Sequence, residues 1–346
     1  MREPSNFLVE LPISNGGEEK MKIFVYNYRE DEAPYFEKFS KEYGVEIGYT
    51  TEYPSLENAE LVKGYDGLSV IVSDMNAAIL EKFHEYGIKS IATRSIGFEH
   101  FDLGKAKELG IKISNVSYSP DSVANYAIML MLMCCRKAKY LLQASSTQDY
   151  SLPGKMGKEI SNCTVGIMGT GRIGATVIRH LAGFGCRIIA YDPYPNKEME
   201  KVATYVSSEE IVKEADIISF HVPATAENYH FVNEETIGKM KDGVILVNTA
   251  RGSLIDTEAL IKGVEQKKIS AVALDVIEEE FGLYYHNLSG QVLDNRNLAI
   301  LKSFPNVIVT GHTAFYTEQS ISDMVEISLK GNVLFDKGEQ NTWEIA

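Results

Sequence analysis

Residues 163–174 read Cys163-Thr-Val-Gly-Ile-Met-Gly-Thr-Gly-Arg-Ile-Gly174, an apolar strand pattern that runs directly into a Gly-x-Gly-x-x-Gly loop. A helix-like stretch follows at 175–182, and a second strand pattern at 187–191 ends in Asp192. This acid stands 18 residues beyond the last glycine, close to the spacing of a Rossmann fingerprint. The glycines alone would be weak evidence, but strand, loop, helix, strand and acid in this order predict a dinucleotide-binding βαβ unit.

Each residue of the glycine loop has a separate expected task. Gly169 permits the tight turn, Gly171 lets the backbone approach a pyrophosphate, and Gly174 allows the helix to pack closely on the sheet. Arg172 and Ile173 begin the helix, whose first N–H groups and partial positive charge would bind the phosphates. The alternative interpretation is a strand-to-helix turn that binds no ligand.

The acid at the end of the second strand pattern bears on the choice of cofactor. Asp192 is expected to accept hydrogen bonds from both hydroxyls of an adenosine ribose. Because its charge would repel a 2′-phosphate, the sequence favours NAD over NADP. The alternative is a surface acid that merely ends a strand.

The charge balance of the whole chain narrows its possible partners. Of 346 residues, 34 are Lys or Arg and 48 are Asp or Glu, which gives a formal net charge of −14. Nucleic acid is therefore not expected as a partner, because phosphate binding needs a basic surface. A small anionic substrate stays compatible, since one arginine can hold a carboxylate inside an acidic protein.

Cysteine content and hydropathy indicate a reducing, cytoplasmic location. The four cysteines are Cys134, Cys135, Cys163 and Cys186. They form neither a disulfide framework nor a CxxC pair, and the histidines show no metal-site spacing, so no metal is expected. The longest apolar run, 127–135, is too short to span a membrane, and none is expected as a partner. Residues 1–20 show no signal peptide and suggest a disordered extension.

Strand and helix patterns alternate along almost the whole chain, which predicts parallel sheets covered by helices on both faces. In the first part, strands are expected at 22–27, 45–49, 67–72, 88–93 and 111–115, and helices at 33–43, 56–65, 77–86 and 105–109. An unusually long helix is expected from Pro120 to about Ser145, with the proline near its start, where a missing N–H matters least. A second alternating block runs from 163 to about 309, and a helix over 318–336 follows it.

Polar residues follow the later strand patterns, at the positions where a parallel sheet binds its ligands. His221, Arg251 and Asp275 each come after a strand pattern, and His312 follows the last one. If these strand ends converge, then Arg251, His312 and the acids at 278–280 are the leading candidates for chemistry.

These segments together resemble the D-isomer-specific 2-hydroxyacid dehydrogenase family. Six motifs carry the resemblance, in the family's order: Thr93-Arg-Ser-Ile-Gly97, Asn115-Val-Ser-Tyr118-Ser-Pro120, Gly169–Gly174, Asn248-Thr-Ala-Arg251-Gly252, Ala273-Leu-Asp275-Val-Ile-Glu-Glu-Glu280 and Gly311-His312-Thr-Ala-Phe-Tyr316. The likeness spans roughly residues 21–336 and is nearest to the D-lactate dehydrogenase branch of vancomycin-resistance type. It is specific for the family and less specific for the substrate.

The resemblance implies three catalytic residues. Arg251 would anchor the substrate carboxylate through its planar guanidinium. His312 would be the acid–base, because imidazole titrates near neutral pH. Glu280 would orient this histidine and favour its protonated form. Glu278 is the rival for that position, since three consecutive acids are usually a solvated face.

The resemblance also assigns residues to the cofactor and the substrate. Besides the glycine loop and Asp192, the expected cofactor contacts are His221, Val222, Pro223, Thr249, Ala250 and Asp275. The backbone amides of Ile96 and Gly97 would receive the substrate carboxylate, and Tyr118 and Phe315 would line the substrate pocket. Ile71 departs from the family, because several members carry an aromatic residue there. A smaller side chain would widen the pocket.

The organisation expected from this resemblance is α/β, with two doubly wound parallel-sheet domains. A flavodoxin-like substrate domain would comprise 1–118 and 316–346, with a Rossmann-type NAD domain, 119–315, inserted into it. The long helix after Pro120 would connect the domains and form the contact surface of a homodimer.

The expected activity is NAD-dependent reduction of a 2-oxo acid to the D-2-hydroxy acid. Pyruvate, giving D-lactate, is favoured as the substrate. One alternative is the same chemistry on a larger acid, such as 2-oxoisocaproate or phenylpyruvate. Another is a non-enzymatic NAD-sensing module of the corepressor kind, which shares this fold.

Overall fold

A computed structural model of the protein describes residues 20–346. The disordered extension expected over residues 1–20 therefore lies, apart from Lys20, outside the described residues. Two compact units make up the chain: the first runs to Ser119 and takes up the chain again at Thr317, and the second is Pro120–Tyr316. The units end one residue beyond each predicted boundary, and the domain assignment itself stays a prediction. Within residues 20–346, no helix is both long and apolar enough to cross a membrane.

Twelve strands and eleven α-helices lie within residues 20–346. The strands are β1 Lys22–Val25, β2 Glu46–Tyr49, β3 Gly67–Val70, β4 Ser90–Thr93, β5 Lys112–Ser114, β6 Thr164–Met168, β7 Arg187–Tyr191, β8 Thr204–Tyr205, β9 Ile217–Phe220, β10 Val244–Asn248, β11 Ile269–Leu274 and β12 Val307–Val309. The helices are α1 Ala33–Tyr43, α2 Ala77–Glu85, α3 Leu103–Leu109, α4 Pro120–Cys135, α5 Ala138–Ser146, α6 Arg172–Leu181, α7 Ser208–Glu214, α8 Glu234–Lys239, α9 Thr257–Glu265, α10 Arg296–Ser303 and α11 Glu318–Asp336.

The first unit is a five-stranded parallel sheet in the order β2-β1-β3-β4-β5. This is the doubly wound order of flavodoxin-like sheets. One face packs against α2 and α3 through residues such as Leu68 and Phe83. The other face packs against α1 and the returning helix α11, where Phe36 and Leu329 share a core. Helices on both faces explain why these strands are apolar on both sides.

The second unit is a seven-stranded parallel sheet in the order β12-β11-β10-β9-β6-β7-β8. Counted from its first strand, six of these follow the Rossmann order 3-2-1-4-5-6, and β12 extends the far edge. The order reverses between β6 and β9, so the loops after these two strands flank the crevice where such sheets bind ligands. The predicted fold class is confirmed.

Two of the expected helices are wrong. The single helix over 120–145 is two helices, because Lys137 adopts a left-handed φ of 52° and redirects the chain between α4 and α5. Neither glycine nor proline marks this turn, so the pattern did not reveal it. The helix expected over 56–65 is a single 3₁₀ turn, Ala59–Val62, whose only buried residues are its first and last.

Candidate active site

The glycine loop after β6 shows why two of its glycines are needed within the protein and one is not. At Gly169 the backbone φ is 95°, and a Cβ at Gly174 would lie 1.9 Å from the carbonyl oxygen of Gly169. A Cβ at Gly171 would meet nothing within 4 Å. The protein itself therefore has room for a side chain at Gly171. A ligand lying against the backbone at this position would take up that room and would require glycine. Gly171 precedes α6 and gives it no side-chain cap, so the start of this helix is suited to the phosphate that the sequence predicts there.

Asp192, at the end of β7, is oriented by backbone donors. Its Oδ2 accepts hydrogen bonds from the N–H and the hydroxyl of Thr170 at 2.6 and 3.2 Å, and its Oδ1 accepts from the N–H of Tyr194 at 2.8 Å. The Thr170 hydroxyl in turn accepts from the Tyr205 phenol at 2.9 Å. The carboxylate thus stands beside the glycine loop, where an adenosine ribose is expected. Tyr205 is a contact that sequence reasoning missed, because only the strand order places β8 beside β7.

Buried polar atoms without partners provide a test of whether a cofactor fits this edge of the sheet. Within residues 20–346, two such atoms are Nδ1 of His221, after β9, and Oγ1 of Thr249, after β10. The other ring nitrogen of His221 lies 2.9 Å from the Ser219 hydroxyl, and burial lowers the pKa of His221 to about 4, so the ring is neutral near pH 7. A bound dinucleotide would supply the hydrogen bonds that these atoms lack in the protein.

The neighbouring predicted cofactor residues differ in what they could offer. A Cβ at Gly169 would lie 2.8 Å from Val222, so Val222 packs on the glycine loop. The Pro223 carbonyl accepts from the Asn228 amide at 2.8 Å. Ala250 is buried, and its N–H and its carbonyl both make hydrogen bonds within its own turn. A contact between Ala250 and a cofactor would therefore be apolar.

Arg251 follows β10 in a turn that its neighbours hold in place. The Asn248 amide donates to the Arg251 carbonyl at 2.8 Å, and the Arg251 guanidinium donates to the Ala250 carbonyl at the same distance. A Cβ on Gly252 would lie 2.0 Å from the carbonyl oxygen of Ile277, so only glycine allows the two loops to touch. The turn that carries Arg251 is thus packed against the loop that follows β11.

Asp275 organises the loop around His312. It is fully buried; its Oδ1 accepts from the Thr310 hydroxyl at 2.5 Å and from the Thr313 N–H at 2.9 Å, and its Oδ2 accepts from the Ala314 N–H at 2.9 Å. Its carbonyl accepts from the N–H of His312 at 2.8 Å. Sequence reasoning predicted a cofactor contact here and missed this structural role, because the 310–314 loop approaches Asp275 only in the folded chain.

His312 contacts Glu280. The Nδ1 of His312 lies 2.8 Å from Oε1 of Glu280, and the two side chains are 28% and 31% exposed. Glu278, the rival, is engaged elsewhere, with His230 and Thr257. His312 has a left-handed φ of 53°, a backbone conformation that few non-glycine residues adopt.

Two aromatic side chains flank the imidazole of His312. The Phe315 ring lies 6.3 Å away, edge to face, and the Tyr285 ring lies 6.1 Å away. The Tyr285 phenol also donates to the carbonyl of His312 at 3.1 Å. Phe315 was among the predicted substrate residues, whereas no motif or spacing pointed to Tyr285.

The other predicted substrate residues lie in the first unit, at the carboxyl ends of its strands. Ile96 and Gly97 follow β4, and the Ile96 carbonyl accepts from the Asn115 amide at 2.8 Å. Tyr118 follows β5 and is partly exposed. Ile71 follows β3 and is 9% exposed.

A buried ion pair underlies this end of the first unit. Arg94 is fully buried and donates from Nε to Glu32 at 2.9 Å, and from its other nitrogens to the Ser69 hydroxyl and the carbonyls of Tyr26 and Asn27. It thereby ties the end of β4 to the end of β1. Sequence reasoning noted Arg94 only within a motif, because a charged side chain gives no sign that it will be buried.

In the second unit, a Rossmann switch point, the Asp192 carboxylate beside the glycine loop, and the His312–Glu280 pair with Arg251 all follow strand ends along one sheet edge. This combination is the one expected of an oxidoreductase that uses a nicotinamide dinucleotide. The family described as D-isomer specific 2-hydroxyacid dehydrogenase, NAD binding domain, matches residues 128–314. The chain belongs to the D-isomer-specific 2-hydroxyacid dehydrogenases, and its cofactor is NAD.

Individual relatives agree with this assignment over nearly their whole length. An aromatic 2-oxoacid reductase of Clostridium sporogenes is 44% identical over 312 residues, which cover 89% of this chain and 94% of the relative. A D-lactate dehydrogenase of Lactiplantibacillus plantarum is 38% identical and covers 93% and 98%. The solved structure of a D-2-hydroxyisocaproate dehydrogenase superposes with a TM-score of 0.86 at 37% identity, covering 94% and 99%.

Proposed function

We propose that this dehydrogenase reduces 2-oxo acids with a bulky, preferentially aromatic, side chain to the corresponding D-2-hydroxy acids. The observation that carries the chemistry is the 2.8 Å contact between His312 and Glu280. Because Nδ1 of His312 faces the carboxylate, Nε2 is the nitrogen that would donate a proton to the substrate carbonyl oxygen. Arg251 would hold the substrate carboxylate.

The proton and charge balance of the reaction follows from these roles. NADH, when bound, supplies the hydride that adds to the carbonyl carbon. As negative charge develops on the carbonyl oxygen, the His312 imidazolium gives it a proton and becomes neutral. Glu280 stabilises the imidazolium before this step and keeps the ring in one orientation. His221 stays neutral near pH 7, so it is suited to hydrogen bonding and not to acid catalysis.

Two observations support the proposal of bulky substrates over pyruvate. The Clostridium sporogenes relative at 44% identity is named for aromatic 2-oxo acids, whereas the D-lactate dehydrogenase cited above is 38% identical. Ile71 is smaller than the aromatic side chain that several family members carry at this position. Pyruvate, which the sequence alone favoured, is the second candidate, and the D-lactate dehydrogenase relatives support it.

A substrate panel tests the proposal. Phenylpyruvate, 2-oxoisocaproate and pyruvate are each reduced with NADH while its absorbance is followed, and kcat/KM is compared. We expect phenylpyruvate to give the highest value. A higher kcat/KM for pyruvate would contradict the substrate proposal and leave the class intact. Absence of turnover with all three acids, in a protein that binds NADH, would favour an NAD-sensing module.

We also infer that the protein is a homodimer and that it works in a reducing, cytoplasmic compartment. The dimer is supported by a set of exposed apolar side chains on and after α4, namely Met129, Leu142, Tyr150, Leu152 and Met156. The four cysteines are free thiols, and burial raises the pKa of Cys134 to about 12 and of Cys135 to about 11, so these two stay protonated. Sedimentation that gives a monomer at micromolar concentration would contradict the dimer.

A further inference from the structure

Glu278, the rival of Glu280 in the acidic run, joins the two segments that carry the predicted catalytic residues. Its Oε1 lies 2.6 Å from Nε2 of His230, and its Oε2 accepts from the N–H and the hydroxyl of Thr257 at 3.0 and 2.6 Å. Thr257 is the first residue of α9, where the helix dipole favours a carboxylate. Both oxygens of Glu278 are therefore held by side chains and backbone outside its own loop.

His230 is itself fixed from several sides. Its ring stacks on Tyr229 with the centroids 3.9 Å apart, and its backbone has a left-handed φ of 51°. The His230 N–H donates to the carbonyl of Ser253 at 2.9 Å. His230 thus attaches Glu278 to the same 251–257 segment that Thr257 belongs to.

Two parts of the site must be aligned with each other: the 251–257 segment, which Glu278 holds, and the loop after β11, which contains Glu278 itself. The segment begins with Arg251, and the loop ends at Glu280, which contacts His312. The loops meet without any space between them at Gly252, where a Cβ would lie 2.0 Å from the carbonyl oxygen of Ile277. A shift of the loop along the turn would therefore move Glu280 relative to Arg251.

We propose that Glu278, held by His230 and Thr257, is a positioning residue that sets the placement of Glu280 relative to Arg251. The inference rests on the proposed function, in which Arg251 binds the substrate and Glu280 orients His312. Because the oxygens of Glu278 are occupied by His230 and Thr257, it acts through the backbone and does not touch the substrate. A positioning role differs from a purely structural one in its effect on kinetics. Removal of a residue that only stabilises the fold would leave kcat and KM unchanged, whereas removal of Glu278 should change both.

The test compares Glu278→Ala and Glu278→Gln with a matched control. Glu210 is a carboxylate of the same unit that closes the capping box at the start of α7, accepting from the N–H and hydroxyl of Ser207 at 2.8 and 2.9 Å. Glu210→Ala therefore removes a helix-capping carboxylate whose bonds are to Ser207 and not to the 251–257 segment. For each variant, kcat and KM are measured with phenylpyruvate, the Kd of NADH by fluorescence, and the Tm.

We expect Glu278→Ala to lower kcat/KM by about tenfold or more, through both a higher KM and a lower kcat, because small misplacements of catalytic groups are costly. Glu278→Gln should retain a kcat/KM within about threefold of the wild-type value, since its amide oxygen still accepts from Thr257 while its NH₂ faces His230. The Kd of NADH should change by less than about twofold, and Glu210→Ala should match the wild type in kcat and KM.

The inference is overturned if Glu278→Ala matches Glu210→Ala in kcat and KM, or if its loss of activity follows a loss of NADH binding. Should Glu278→Ala not fold, His230→Ala decides, because it leaves Glu278 with Thr257 alone. We expect it to lower kcat/KM by about threefold to tenfold, and an unchanged value overturns the inference. A wild type that binds NADH but reduces no 2-oxo acid would contradict the proposed function and this inference with it.

Discussion

Glu280 and His312 lie 32 residues apart in the chain, yet their Oε1 and Nδ1 atoms are 2.8 Å apart. Asp275 makes this possible, since its carboxylate and carbonyl hold residues 310–314 against the end of β11. The acidic loop and the histidine loop thus start from neighbouring parallel strands, β11 and β12, and converge beyond the sheet edge.

His312→Ala should lose about 10²- to 10⁴-fold in kcat, because the proton donor to the carbonyl oxygen is gone. The Kd of NADH should stay close to that of the wild type. His84→Ala, at an exposed position on α2, is the control for removing an imidazole. Turnover of His312→Ala within a factor of a few of this control would exclude His312 as the acid.

Arg251→Lys should act mainly on the substrate. Lysine keeps the charge but lacks the planar fork that binds a carboxylate with two hydrogen bonds. Losing a charge-assisted hydrogen bond of about 1.5–3 kcal/mol lowers kcat/KM by about 10- to 160-fold. Steady-state kinetics with varied 2-oxo acid at saturating NADH measure this. Unchanged KM and kcat would contradict the role of Arg251 as the anchor.

Asp192→Asn should weaken the preference for NADH over NADPH. The amide oxygen of asparagine still accepts from the Thr170 N–H, which keeps the turn in place, while the charge that repels a 2′-phosphate is removed. We expect the ratio of kcat/KM for the two cofactors to fall by about tenfold or more. If the ratio does not move, a different residue controls cofactor choice.

His221 should make stability depend on pH. Its pKa is about 4 in the folded protein, whereas an exposed histidine titrates near 6.5. Between these values the unfolded chain binds more protons, so the free energy of unfolding rises with pH and the contribution is lost as the pH falls from 6.5 to 4. At pH 5 this loss is about 2 kcal/mol relative to pH 7.

Urea unfolding of the protein without cofactor, at pH 7 and pH 5, measures this loss. The control is His221→Gln, which has the same other titrating groups but cannot be protonated at this position. Its free energy of unfolding should fall by about 2 kcal/mol less than that of the wild type between pH 7 and pH 5. An identical pH dependence in both proteins would show that burial of His221 does not resist protonation.

Local sequence determined the features that depend on near neighbours in the chain. The glycine loop with its strand and helix follows from a short pattern, because steric needs such as the missing Cβ at Gly174 arise within a few residues. The parallel strands were predictable from apolar runs, and the α/β fold class from the alternation of those runs with helical patterns. The turn at Lys137 could not, since a left-handed lysine leaves no trace in hydrophobic periodicity.

The sequence by itself therefore determined the fold class, the dinucleotide loop and the family of this protein. Only the tertiary structure decided which acid meets His312, that Asp275 holds the loop around it, and that Glu278 joins the two loops instead. Glu278 and Glu280 carry the same functional group and lie two residues apart in the chain. They contact different partners because His230, Thr257 and His312 follow strands far apart in the sequence, and the order of strands in the sheet decides which of them each carboxylate meets.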